Sequence, residues 1–296
     1  MEKVQVLMST YNGEKYIIEQ VKSILTQNNI KVNILVRDDC STDSTKKIIK
    51  DLGLRVIEGK NLKPAKSFME LIRNSDDNYK FYALSDQDDF WLPEKLNRAI
   101  KRITEFEQTK PIVYFSTKKI TDEKLNFLYL LKESEEISLE SAMIKNIATG
   151  CTIVFNNKMM QYLKQYIPKD IEMHDAWIYR LCLALDGIAI YDEESFIFYR
   201  QHCNNVVGAA ETMQKKIIRR VNSLINPKRY RESMAKEIIN GYKKYLTNDN
   251  YKILNDFANY RNSIKSKLNL LFNKKIKLNN IKENIIFKIA VVLNRV

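Results

Sequence analysis

Three carboxylates stand within four residues at Asp86-Gln87-Asp88-Asp89, and a second acidic pair stands at Asp38-Asp39. Like charges this close repel, so something positive must offset them. Hard divalent cations take carboxylate oxygens. Mg²⁺ is typically held by one or two carboxylates together with substrate phosphates. An Asp-x-Asp pair is also common by chance, and Asp often caps a helix, so capping is the plain alternative, above all for Asp38-Asp39.

Hydrophobic periodicity indicates the elements that must position these groups. Residues 3–8 read as a buried strand, and 14–26 carry Tyr16, Ile17, Val21, Ile24 and Leu25 at helical spacing. Strands are expected at 32–36, 54–57, 81–84 and 112–115, with helices at 44–52 and 65–74 and another opening at Pro93. Strand and helix alternate, which predicts an α/β fold with a mostly parallel sheet. Both acidic clusters then follow strand ends, where such sheets bind ligands. Residues 120–150 give no clear pattern. Residues 150–155 read as a strand with Gly150 at its entry, 176–185 as a helix, and 187–191 and 195–199 as short strands. Helical runs are expected at 213–224, 230–246, 251–272 and 281–293.

Ser9-Thr10-Tyr11-Asn12 follows the first strand, Asp38-Asp39-x-Ser-Thr-Asp the second, and Asp86-x-Asp-Asp-x-Trp-x-Pro the fourth. This order and spacing resembles the family 2 inverting glycosyltransferases, which have the GT-A fold, a Rossmann-like sheet flanked by helices. The likeness spans roughly residues 3–205 and is densest over 4–100. Thr149-Gly150-Cys151, His174-Asp175-Ala176-Trp177 and Tyr199-Arg200-Gln201-His202-x-x-Asn205-x-x-Gly208 are similar to a bacterial subset that includes rhamnosyltransferases and other capsule or wall polysaccharide enzymes.

The resemblance implies a UDP- or dTDP-sugar donor over the first half of the sheet, with Mn²⁺ or Mg²⁺ as cofactor. Thr10 and Tyr11 would line the base pocket. Asp39, with Asp38 nearby, would accept the pyrimidine N3–H, which suits an acceptor-only carboxylate. Asp86 would sit by the ribose and the metal, and Asp88 would ligate the metal that bridges the diphosphate. Asp175 matches the general base that takes the acceptor hydroxyl proton. Only two histidines occur, His174 and His202, and both lie in matched segments. His202 would bind the metal or diphosphate oxygens, and His174 would orient Asp175 on the acceptor side. Lys66 and Arg200 would reach the diphosphate, the alternative for Arg200 being a surface salt bridge. Trp91 and Trp177, the only tryptophans, would form a sugar-stacking wall or simply pack. Two departures stand out: Lys63-Pro64 falls where relatives often carry glycine, and Cys40 replaces the glycine usual after the second Asp.

Of 296 residues, 49 are basic and 36 acidic, and the imbalance is local. Residues 211–296 hold 20 Lys/Arg and 6 Asp/Glu, a net of +14, whereas 1–210 carry a net of −1. This predicts a catalytic domain over 1–210 and a basic helical extension over 211–296. Paired lysines and arginines interleaved with apolar residues fit an anionic membrane surface, which would suit a lipid-linked glycan acceptor. An oligomer contact or a solvated basic face are the alternatives. No apolar run reaches the 18 or so residues of a membrane span. Four scattered cysteines without a CxxC pair and an N-terminus without a signal pattern give the expectation of a cytoplasmic protein, peripheral on the inner membrane face. Two other functions compete. Clustered basic residues are the footprint of nucleic-acid binding, although no finger, helix-turn-helix or RNP motif accompanies them, and no nucleic-acid partner is expected. A sugar nucleotidyltransferase also uses Asp-x-Asp with a metal, but Ser9-Thr10-Tyr11-Asn12-Gly13 is not a glycine-rich phosphate loop.

Overall fold

The structure is a computed structural model and describes residues 1–202 and 230–296. Strand β1 (Glu2–Thr10) pairs in parallel with β2 (Ile30–Asp38) and with β4 (Phe81–Ser85), and β2 pairs in parallel with β3 (Arg55–Glu58). On the far side of β4 come β9 (Val154–Asn156), β6 (Ile112–Ser116) and β10 (Ile188–Asp192), so the sheet runs β10-β6-β9-β4-β1-β2-β3. Only β9 runs against its neighbours in this sheet. A second sheet, β5-β11-β7-β8, joins β5 (Phe90–Trp91), β11 (Ile197–Arg200), β7 (Lys118–Thr121) and β8 (Phe127–Leu131).

Both faces of the main sheet are buried, as a parallel sheet requires. Alternate residues serve two cores. Val6, Met8 and Val36 face α1 (Ile17–Leu25), α2 (Thr45–Asp51) and α4 (Lys95–Thr104). Leu7, Leu35 and Leu84 face α3 (Lys63–Asn74), α6 (Asn157–Gln165) and α7 (His174–Ala184). Helix α4 buries Leu96, Ala99, Ile100 and Ile103, one stripe at helical spacing.

Two local expectations are corrected, and one unread stretch is filled in. Residues 150–155 are not one strand: Gly150–Thr152 is a 3₁₀ turn, closed by Thr152 N–H on Thr149 O (3.0 Å) and Ile153 N–H on Gly150 O (2.9 Å). Residues 251–272 form two helices, here α9 (Asn248–Asn259) and α10 (Ile264–Phe272). Ser263 restarts the second by accepting Ser266 N–H at 3.1 Å. The unread stretch 120–150 supplies most of the β7–β8 hairpin and α5 (Leu139–Ile144). The expected helix 213–224, the boundary at Ala210, and Cys203, Asn205 and Gly208 lie outside the described residues.

Helix α8 (Tyr230–Tyr242), α9, α10 and α11 (Ile281–Val292) are as predicted in kind. Met234, Ile238, Tyr242, Leu254 and Phe257 join Leu163 and Trp177 in one hydrophobic cluster. Tyr242 donates its hydroxyl to Tyr162 O at 2.8 Å. The basic helices therefore share a core with the main sheet.

Cys40 and Lys63 both adopt positive φ, +72° and +65°. The left-handed region costs a non-glycine residue about 1–2 kcal/mol, against about 0.5–1 kcal/mol of extra unfolded-state entropy for glycine. Cys40 is exposed, so its side chain contributes little packing. Cys40→Gly is expected to stabilise the fold by about 0.5–1 kcal/mol, measured by reversible denaturant unfolding. An unchanged or lowered stability would show that the turn carries no strain.

Candidate active site

The carboxyl ends of β1, β2 and β4 open into a cavity of about 890 Å³, within the range of small-molecule sites. Thr10, Tyr11, Asp39, Asp86, Gln87 and Asp88 line one side, and Lys118, Thr149, Gly150, His174, Asp175 and Arg180 line the other. The turn after β1 is held to the acidic loop by a two-point clamp. Tyr11 N–H donates to Gln87 Oε1 (2.9 Å), and Gln87 Nε2 donates to Tyr11 O (3.0 Å). Gly13 permits this clamp, because a Cβ there would stand 2.2 Å from Gln87 Oε1.

Asp38 and Asp39 have separate tasks. Asp38 is fully buried and accepts from Thr10 Oγ1 (3.2 Å), Ser41 N–H (2.8 Å) and Ser41 Oγ (2.5 Å), which shapes the turn beneath the cavity. Asp39 reaches the start of α3, where Leu62 N–H (2.9 Å) and Lys63 N–H (2.8 Å) donate to it, and Arg37 pairs with it. Its carboxylate both caps that helix and lines the cavity.

The loop after β4 concentrates negative charge. Burial, and then the charges of Asp88 and Asp175, push the Asp86 carboxyl up to about 7. Asp88 is hydrogen-bonded by His202 Nε2 at 2.9 Å, and the His202 ring stacks on Tyr16. Behind them, Asp86, Asp89 and Cys151 bring ligand atoms within 4.8 Å of one another. Burial pushes the Cys151 thiol up, so it stays protonated. The buried Lys95 ammonium lies 3.8 Å from the centre of the Trp91 ring, and burial lowers its pKa to about 8 despite the nearby Asp89.

Opposite the acidic loop, α7 begins at His174 and presents Asp175 in its first turn. Asp175 accepts Ala176 N–H (2.6 Å) and Gly150 N–H (3.3 Å). Burial raises its pKa, a shift that these donors, Lys118 and Arg180 partly oppose. His174 stacks on Phe68 with ring centroids 3.8 Å apart, and neither ring nitrogen has a hydrogen-bond partner. Burial lowers its pKa to about 3, which keeps it neutral at physiological pH. Asp86, Asp88, Asp175 and His174, read from separate segments, thus share one cavity.

Other expected residues stand elsewhere. Trp91 and Trp177 are fully buried, in the two opposite cores, so neither makes a sugar-stacking wall; packing is their role. Lys66 is exposed and lines a separate groove with Glu58 and Lys169, because α3 turns it away from the main cavity. Arg200 is buried and acts as a brace: Nε donates to Asp88 O (2.8 Å), Nη1 to Glu123 O (2.5 Å), and Nη2 pairs with Glu19. It makes an ion pair, but a buried one, so neither the diphosphate contact nor the surface salt bridge describes its place here. Sequence reading missed Gln87, Lys118 and Arg180. Gln87 was legible as the x of Asp-x-Asp; Lys118 and Arg180 gave no signal, since only burial distinguishes them from surface cations.

The family model described as Glycosyl transferase family 2 matches residues 5–179. The chain belongs to glycosyltransferase family 2. The dTDP-rhamnosyl transferase RfbG of Shigella flexneri is 30% identical over 244 residues, 77% of this chain and 82% of that protein. S. aureus TarS, solved as residues 1–349 with UDP-GlcNAc, superposes with a TM-score of 0.58 at 18% identity, covering 99% of this chain and 82% of that one. The mannosyltransferase PcManGT of Pyrobaculum calidifontis, solved with GDP-Man and Mn²⁺, gives 0.52 at 15% identity over 99% of this chain and 88% of that one. The fold of this family 2 enzyme is therefore GT-A with C-terminal helices. The nucleotidyltransferase and nucleic-acid-binding readings give way to glycosyl transfer.

In the family 2 site, Gly150 lets the 3₁₀ turn abut α7. A Cβ at this position would stand 2.7 Å from His174 Nε2. Gly150→Ala is expected to displace His174 and Asp175 and to lower kcat by about tenfold or more. Nucleotide affinity should stay within about twofold of the wild type. Turnover at the wild-type level would show that this close approach does not position Asp175.

Proposed function

We propose that this enzyme transfers a sugar with inversion from a pyrimidine nucleoside diphosphate donor, dTDP-rhamnose or a UDP-hexose, to a growing lipid-linked bacterial surface polysaccharide. The observation that carries this reading is the placement of Asp175 across one cavity from Asp86 and Asp88. Thr10, Tyr11 and Asp39 form the base pocket, and Asp86 lies toward the ribose. Asp175 takes the proton of the acceptor hydroxyl as that oxygen bonds the anomeric carbon. The bond from this carbon to the diphosphate breaks on the opposite face, which inverts configuration. His174, neutral and unpartnered at both nitrogens, hydrogen-bonds substrate on the acceptor side.

Converging carboxylates with a raised pKa at Asp86 fit a divalent cation, since a positive charge would relieve their repulsion. Asp86, Asp88 and His202 would hold Mn²⁺ or Mg²⁺, and PcManGT supports Mn²⁺. When bound, the cation would neutralise charge on the departing diphosphate. Arg200 fixes the Asp88 backbone from behind rather than meeting phosphate.

Asp175→Asn is expected to abolish transfer while thermal stabilisation by the nucleotide sugar persists. In the wild type the acid limb of kcat/KM against pH should lie above the ordinary carboxylate range, because the base works only ionised and burial raises its pKa. Full activity of the variant would remove Asp175 from the mechanism.

The acceptor reading is supported by the outer faces of the last two helices. Ile264, Leu268 and Phe272 form a solvent-facing stripe on α10, and Ile281, Ile285, Ile289 and Val292 form one on α11. Ile264 is 80% exposed and Ile281 75%, whereas Leu270, Phe287 and Val291 face the core. Lys267 of α10 donates to Val292 O (2.9 Å), so the stripes lie side by side. Residues 261–296 carry nine basic side chains and one acidic. Apolar stripes among lysines suit the inner face of an anionic membrane, at about 1 kcal/mol per basic residue near the surface. No helix among the described residues is long and apolar enough to cross a membrane. The wild type is expected to sediment with phosphatidylglycerol vesicles, and a variant combining Ile264→Ser, Phe272→Ser, Ile281→Ser and Ile285→Ser to remain in solution with unchanged nucleotide binding. If the wild type instead forms a dimer that these changes split, with no vesicle binding, the stripes are an oligomer contact.

A further inference from the structure

Two arginines in the cavity have no part in the transfer described above. Arg180, on α7, is 2% exposed, and its Nε donates to Ala142 O at 2.8 Å. Its Nη1 makes no hydrogen bond; the nearest carboxylate oxygen, on the half-exposed Glu172, is 3.9 Å away, beyond hydrogen-bond reach. Arg231, near the start of α8, donates Nε and Nη2 to Ile144 O (2.9 and 2.8 Å). Both line the cavity, together with Lys145 and Asn146. Lys145 is already paired, with Glu135 and Glu283.

The two guanidiniums repel each other, and burial opposes the charge of each. A buried cation with an unused donor is costly unless an anion completes it. The side of the cavity decides which substrate brings that anion. Arg180 and Lys118 are among the charges that act on Asp175, whereas the charges acting on Asp86 are Asp88 and Asp175. Arg180, and Arg231 whose charge acts on it, therefore belong to the half that holds Asp175 and the acceptor hydroxyl, not the half that holds the donor diphosphate.

We infer that Arg180 and Arg231 form an anion-binding subsite that holds an oxyanion carried by the acceptor, a phosphate or a carboxylate. The guanidinium fork matches both groups in geometry. The inference rests on the proposed reading of the cavity as a glycosyl-transfer site and narrows the acceptor to an anionic one. The subsite orients the acceptor, so its loss should raise the acceptor KM more than it lowers kcat.

The test uses the full chain saturated with UDP or dTDP and Mn²⁺, so that the donor diphosphate site is filled. Inorganic phosphate and glucuronate are then added separately, and thermal unfolding is followed. At least one is expected to stabilise the nucleotide-bound protein further: phosphate alone marks a phosphoryl acceptor, glucuronate alone a uronate. Arg231→Gln and Arg180→Lys should each weaken that anion by about tenfold or more, the loss expected for a hydrogen bond between charged groups. Their nucleotide affinity should match the wild type. Arg231→Gln serves if Arg180→Lys does not fold. No anion-dependent shift, a shift that nucleotide suppresses, or a shift unchanged in the folded variants would overturn the subsite. Failure of every nucleotide to bind would overturn the transfer reading instead, and the anion series without nucleotide would still decide the subsite.

Discussion

Asp86, Asp88, Asp89 and Asp175 converge on one end of a buried sheet, and their mutual repulsion is the constraint around which the site is organised. In water such charges would be screened; here, burial and like charge push Asp86 up to about 7. The surroundings answer with fixed positive groups and donors. His202 bonds Asp88, Lys118 acts on Asp175, and Lys95 lies buried beneath Asp89. Arg200 holds the loop itself, from its backbone. A cavity held in this state suits a cation, whose positive charge would offset the remaining repulsion.

Close backbone approach is the second requirement. Gly13 admits the Gln87 clamp, and Gly150 admits His174. Asp39 meets the first N–H groups of α3, so the turn after β2 and the helix after β3 are fixed to each other through one carboxylate. These contacts convert three loops from separate strand ends into a single wall. Cys40 and Lys63 take positive φ in these turns, which places local strain beside Asp39.

The C-terminal helices connect the site to its setting. Their inner residues, from Met234 to Val291, complete the core that holds α7 and hence Asp175. Their outer residues are apolar among lysines. One set of helices therefore supports Asp175 from behind and presents an apolar, lysine-flanked surface outward. Arg231 adds a third role, since it reaches from α8 into the cavity.

Much of the fold was legible because its signals are local. Alternation of short apolar strands with helical stripes is written in residues 3–115, and the acidic clusters fall just after strand ends that the same pattern marks. Where the signal was ambiguous, reading failed for physical reasons. Residues 150–155 are β-branched yet coil at Gly150, and a serine cap broke what looked like one helix after Asn259. By itself, the sequence determined the sheet, the family, the carboxylates and the basic tail, because residue type and spacing specify them. Only the tertiary structure decided which side chains meet the cavity. Trp91 and Trp177 went to the cores, Lys66 to another groove and Arg200 to a brace, while Arg180 came inside. Burial and orientation arise from packing between distant segments, and the type of a tryptophan or an arginine does not encode which neighbour it will have.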